Sequence, residues 1–137
     1  MKITKFVLLP IALFILFAGN TTAQTTPAKG SAERKAIMDA LRANAKNIKG
    51  LSGKIIFTVS RLQVQNGWAF IVATPQSADG KSLTTFQSWC EYDQDVIALL
   101  KKRGNSWRVV ARDVCPSDVS YGDWDKRYGA PRSILGL

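Results

Sequence analysis

The sequence predicts an α+β domain: one N-terminal amphipathic helix packed on a curved antiparallel sheet of four or five strands. Three observations carry that expectation. Residues 54–75 hold two runs of β-branched and aromatic residues around Asn66-Gly67, the strongest short hairpin signal a sequence offers. A second pair of such runs surrounds Gly104-Asn105. Ahead of both lies one apolar stripe at helical spacing, from Ile37 to Ile48.

The chain begins with a leader pattern. Lys2 and Lys5 precede an uncharged apolar run from Phe6 to Ala18, and small residues lead to Thr21-Thr22-Ala23. This order reads as a secretory signal peptide over 1–23, cleaved after Ala23. The apolar run is short for a membrane span, so no span is expected after cleavage. No cysteine lies near the end of the run, which excludes a diacylated lipoprotein. Residues 24–30 read as a Thr/Pro/Ala linker, expected to be disordered. The single domain is expected over 31–137.

Ser31 is placed to cap the helix, with Glu33 in its first turn. Ile37, Ala40, Leu41, Asn44, Ala45 and Ile48 form the stripe, broken only by Asn44. Gly50 and Leu51 fit a Schellman stop. Arg34, Lys35, Arg42, Lys46 and Lys49 fall mostly off the stripe, as a solvated face or as one edge of an anion-binding surface.

In the first hairpin a two-residue turn sets Val64 opposite Ala69 and Leu62 opposite Ile71. Ile55, Phe57 and Val59 have the opposite parity to Leu62 and Val64. One extra residue near Ser60-Arg61, a β-bulge, puts all of them on one face. Trp68, Phe70 and Val72 occupy the other face of the second strand, so that strand should be covered on both sides.

Residues 76–82 read as a polar turn, and 83–92 as an extra strand or an ordered loop. In the second hairpin the turn sets Leu100 opposite Val109 and Ala98 opposite Ala111. Lys101, Lys102, Arg103 and Arg108 then gather at one tip, the densest positive site in the chain. They are the candidate anion-binding residues. The tail mixes aromatic, acidic and turn-forming residues. It suggests a short helix near Asp123–Tyr128 and an extended end packing Ile134 and Leu135.

Composition narrows the function. The chain of 137 residues carries 19 basic and 10 acidic residues, a formal net charge of +9. Without Lys2 and Lys5, seventeen basic residues face ten acidic ones, a net of +7. An exported domain of that charge is drawn to anionic envelope material. There is no histidine. Its absence removes the commonest general base and metal ligand and every Ser-His or Cys-His nucleophile. Cys90 and Cys115 have one internal pairing, which an oxidising compartment permits. A disulfide is therefore expected as a staple, since the Cys-x-x-Cys spacing of a redox site is missing.

Asp118, Asp123 and Asp125 have oxygen ligands suited to calcium but lack EF-hand spacing, so they read as caps and turns. Glu91, Asp93 and Asp95 offer no nameable acid/base pair. The four tryptophans read as core rather than as stacking platforms for bases or sugars. No metal, no cofactor and no specific nucleic acid is predicted.

Glu33–Arg42, Trp68-Ala69-Phe70 with Pro75-Gln76, Trp107–Val110, Pro116–Val119, Trp124 and Tyr128–Pro131 together resemble a group of small exported bacterial α+β proteins. The resemblance covers most of the mature chain and implies no site residue. In outline the predicted architecture resembles the cystatin and NTF2-like folds, which support architecture and not activity. The expectation is a periplasmic or secreted, non-enzymatic binding protein of the bacterial envelope. Its partner would be a protein or an anionic envelope component. The alternative is a carrier of a small apolar or anionic ligand in the concave face of the sheet.

Overall fold

The computed structural model describes residues 22–137. The leader expected over 1–23 lies outside the described residues, except Thr22 and Ala23. Helix α1 (Ala32–Ala45) is followed by strands β1 (Ile55–Gln65) and β2 (Trp68–Ser77) and the short helix α2 (Thr84–Trp89). Strands β3 (Val96–Arg103) and β4 (Ser106–Val114) and helices α3 (Trp124–Tyr128) and α4 (Arg132–Leu135) complete the chain. The four strands form one antiparallel sheet in the order β1-β2-β3-β4.

Each face of the sheet buries its own cluster. On one face α1 contributes Ile37, Met38, Leu41 and Ala45, packed with Leu62, Val64, Ala69, Ile71, Val96, Ala98 and Leu100. On the other face Trp68, Phe70, Ile97 and Leu99 are covered by Trp124, Ala130, Ile134 and Leu135 of the tail. The central strands β2 and β3 are thus apolar on both sides because both sides are packed. Pro75 is tolerated in β2 because the pairing with β3 ends at Ala73, so no ladder bond needs its missing N–H.

The expected bulge is present. Val59 pairs with Ala73 and Arg61 with Val72, which leaves Ser60 as the extra residue. Ile55, Phe57 and Val59 therefore share the α1 face with Leu62 and Val64. Arg61 goes to the opposite face, where it donates to the carbonyls of Ile134 at 2.8 Å and Leu135 at 3.2 Å. Its guanidinium also lies 5.1 Å from the Phe70 ring centre. Replacing Arg61 with methionine keeps the bulk and orphans these carbonyls. Chemical denaturation should show a loss of about 2 kcal/mol, and an unchanged midpoint would mean that the bulge and the tail are not coupled.

Four local expectations need correction. Residues 84–89 form a short helix, neither the extra strand nor the ordered loop expected, seated by buried Phe86. The α-helix ends at Ala45, and turns then run to Gly50, whose φ is +84° and whose absent Cβ leaves room for the Phe86 backbone. In the second hairpin Leu100 does pair with Val109, but a bulge at Val110 sets Ala98 opposite Arg112 rather than Ala111. It also brings the Cys115 N–H to the Asp95 carbonyl at 2.9 Å. The end of the chain is a helical turn, not an extended segment, although Ile134 and Leu135 are buried as expected.

The segment 24–30 is held rather than disordered. Thr25 exchanges two backbone hydrogen bonds of 2.8 Å with Val64 on the outer edge of β1. Pro27 is buried, and its carbonyl accepts from Arg34 at 3.1 Å. Polar residues with no period give no sequence signal for a single bridge of this kind.

Candidate functional site

The four cations expected to act together are divided by the strand pleat. Lys101 and Arg108 are cross-strand partners on the tail face, and the Lys101 ammonium lies 4.5 Å from the Trp68 ring centre. Lys102 points to the α1 face, 3.8 Å from Glu33 and 5.8 Å from the Trp107 ring centre. Arg103 closes the turn opposite Ser106. The hairpin tip is basic, but Lys102 turns away from Lys101 and Arg108.

The acidic tail residues also separate. Asp118 accepts from the Val119 N–H, and Asp123 faces Arg127 at 3.8 Å. Asp125 pairs with Arg132 at 2.9 Å, and its Oδ1 is buried with no hydrogen-bonding partner. Burial raises the Asp125 carboxyl, but the Arg132 guanidinium, the Lys126 backbone N–H and the nearby charges outweigh it, and the net direction is down. Asp118 makes the expected local turn bond, whereas Asp123 gives no side-chain cap bond and, like Asp125, is held in an ion pair. Asp95 accepts from the Thr74 hydroxyl at 2.5 Å. Cys90 and Cys115 are joined, with their Cα atoms 5.2 Å apart.

A concave basic surface lies instead between α1 and β1. Helix α1 sits nearest β4, at the far edge of the sheet. Arg112 of β4 anchors it, donating to Asn44 Oδ1 at 2.6 Å and to the Asn44 carbonyl at 3.0 Å. Asn44 interrupts the apolar stripe in order to accept this half-buried cation's bonds. With the helix drawn toward β4, the β1 side of the same face is only partly covered.

Two adjoining depressions occupy that space. One, of about 410 Å³, is lined by Lys29, Arg34, Met38, Arg42, Phe57 and Val59. The other, of about 320 Å³, is lined by Arg42, Lys46, Leu51, Lys54 and Ile55. Arg42 belongs to both. The floor is apolar and the rim is basic. Asp39 is the acid on that rim, bound to Lys35 at 2.6 Å and to Arg42 at 3.0 Å. The Lys35 hydrogen bond, helped by Arg42, holds its carboxyl below the ordinary aspartate range. Among the described residues Lys29, Lys46 and Lys54 have no acidic partner within 4.0 Å.

The sequence placed Arg34, Arg42 and Lys46 off the helical stripe and left open whether they edge an anion site. It offered no sign that Lys29 and Lys54, from two different loops, join them. The off-centre seat of α1 brings them together, and that seat depends on Asn44 and Arg112. Among the described residues no helix is long and apolar enough to cross a membrane. No protein-family model, no curated protein and no solved structure matches this chain.

Proposed function

We propose that the protein is an exported, non-enzymatic binding domain that takes an acidic partner in the α1–β1 groove. The observation that carries the reading is the groove itself: an apolar floor, a rim of five cations, and a strand edge beside it. The leader pattern over 1–23 supports a periplasmic or secreted location. The Cys90–Cys115 bond is consistent with an oxidising compartment. The cystatin-like and NTF2-like outline, a helix laid on an antiparallel sheet, enters as an analogy of architecture alone.

A second reading is favoured by the size of the depressions. Volumes of about 320 and 410 Å³ fall in the range of small-molecule sites, roughly 300–1,000 Å³. Met38, Phe57 and Val59 would contact the apolar part of a carried anion, with Arg34 and Arg42 on its charge. Both depressions open to solvent, which suits a longer partner lying across them better than an enclosed ligand.

One experiment separates the readings. The mature, disulfide-intact domain is immobilised, exposed to envelope extract and washed at low salt and near 1 M salt, where charges are screened beyond about 3 Å. A Lys46→Glu/Lys54→Glu variant is run beside it, since both side chains are exposed and unpaired. The expected result is an acidic protein retained through the high-salt wash by the wild type and lost by the variant. Retention of polyanions alone, released by salt, would reduce the charge to a non-specific surface property. A small molecule found by mass spectrometry, with no protein retained, would establish the carrier instead.

A further inference from the structure

The geometry points to a specific mode for that groove: an extended acidic segment of the partner adds to β1 as a fifth strand along Ile55–Val59. The inference rests on the binding reading above and names the partner's conformation and chemistry.

The phase of the ladder exposes the edge. The Ala78 N–H donates to the Lys54 carbonyl at 3.0 Å, and Ile55 pairs with Ser77 in the next step of the register. Bonded and non-bonded pairs alternate in an antiparallel ladder, so Ile56 and Thr58 bond to β2. The N–H and C=O groups of Ile55, Phe57 and Val59 then point away from the sheet. Beyond the bulge the same outward groups of Val64 are those that Thr25 takes. The N-terminal segment goes no further as a strand, because Pro27 has no N–H to offer and the chain leaves for α1. Among the described residues no backbone group bonds Ile55, Phe57 or Val59 from outside.

This stretch lacks the usual protections of an edge strand. Ile55-Ile56-Phe57-Thr58-Val59 contains no charge and no proline, and Ile56 is 42% exposed. The residues that would blunt it, Lys54 and the Ser60 bulge, stand at its two ends. Five uncharged β-forming residues, three of them with free main-chain groups, form a template for strand addition.

Charge selects the occupant. Side chains of an added strand alternate between faces, and those on the α1 side recur about every 7 Å. They would meet Lys29, Arg34, Arg42, Lys46 and Lys54. A second copy of this chain, joined edge to edge, would bring two such basic sets together with only Asp39, already paired to Lys35 and Arg42, on each. An acidic strand neutralises them, and its intervening apolar residues would lie beside exposed Ile56. The fitting partner is therefore an extended peptide that alternates acidic and apolar residues.

The probe is a synthetic octapeptide of alternating Glu and Val, titrated into the disulfide-intact domain and followed by amide NMR shifts. A Lys/Val octapeptide and a backbone N-methylated Glu/Val octapeptide serve as comparisons. The expected result is shifts at the Ile55, Phe57 and Val59 amides, with binding roughly tenfold or more weaker for the Lys/Val peptide. N-methylation should abolish it, because it removes the ladder donors, and the Lys46→Glu/Lys54→Glu variant should weaken it while keeping its fold by circular dichroism. Equal binding of the N-methylated peptide would overturn strand addition and leave the basic groove as a binding site. No binding of any acidic peptide, beside an acidic protein retained in the pull-down, would overturn the conformation alone. If the free domain is dimeric, with these three amides already protected from exchange, a second copy is the occupant and the inference fails.

Discussion

Replacing Phe70 with alanine is expected to destabilise the domain by about 4 kcal/mol and to lower its melting temperature by roughly 15–20 °C. Phe70 is fully buried at the centre of the tail face. Its ring centre lies 5.0 Å from that of Tyr121 and 6.4 Å from that of Trp124. The Arg61 guanidinium covers it from the side. Truncation therefore removes the apolar area of the ring and leaves a cavity bounded by side chains from β1, β2 and the tail. The strands hold one wall in place, so the cavity cannot close fully. The tail should loosen first, with proteolytic cleavage after Cys115 appearing before global unfolding. A measured loss below about 1 kcal/mol would mean that the tail covers this face only weakly.

The same residues show why the first hairpin was legible. Asn66 has φ of +51° and Gly67 of +74°, as a two-residue turn of this type demands, and few residue pairs tolerate both. The parity change between Val59 and Leu62 left no regular strand that could bury both sets, so the bulge followed from hydrophobic pattern alone. The second hairpin lacked that constraint. Val109, Val110 and Ala111 are apolar in succession, so either parity buries something and no pattern marks Val110 as the extra residue. Helix α2 was illegible for a related reason. Its six residues are too few to show a helical period, and Phe86 is the buried one.

The candidate site was legible in its parts and hidden in its assembly. Lys101, Lys102 and Arg103 are consecutive and the hairpin turn returns Arg108 beside them, so the sequence pattern points to the hairpin tip. Strand geometry then sends Lys101 and Lys102 to opposite faces. The groove cations are scattered over 26 positions from Lys29 to Lys54 and meet only because α1 crosses toward β4. That crossing is set by a contact between residues 68 apart in sequence, Arg112 and Asn44. A single polar interruption in an apolar stripe marks where such a contact belongs, although it does not name the partner.

Removing the Cys90–Cys115 bond, by reduction or by the Cys90→Ala/Cys115→Ala double substitution, is expected to destabilise by about 3.5 kcal/mol. The figure follows from the chain entropy of the 25-residue loop that the bond closes. That loop contains the whole of β3 and β4, so the open denatured chain exposes more surface and the denaturant m-value should rise. The native fold should change mainly at α2. Cys90 caps that helix, Phe86 stacks edge-on against Trp89 with ring centres 5.4 Å apart, and Trp89 Nε1 donates to the Lys49 carbonyl at 3.1 Å. Gly50 lets the Phe86 backbone close against the same turn. The bond thereby steadies the segment that carries Lys46 and Lys54 to the rim of the groove. Amide exchange in the reduced protein should accelerate at Thr85–Cys90 and at Lys46–Gly50 before the strands open. Acidic-peptide binding should weaken with it. A midpoint and exchange pattern unchanged by reduction would show that packing of Phe86 alone holds the rim, and that the two cysteines contribute neither stability nor order to the site.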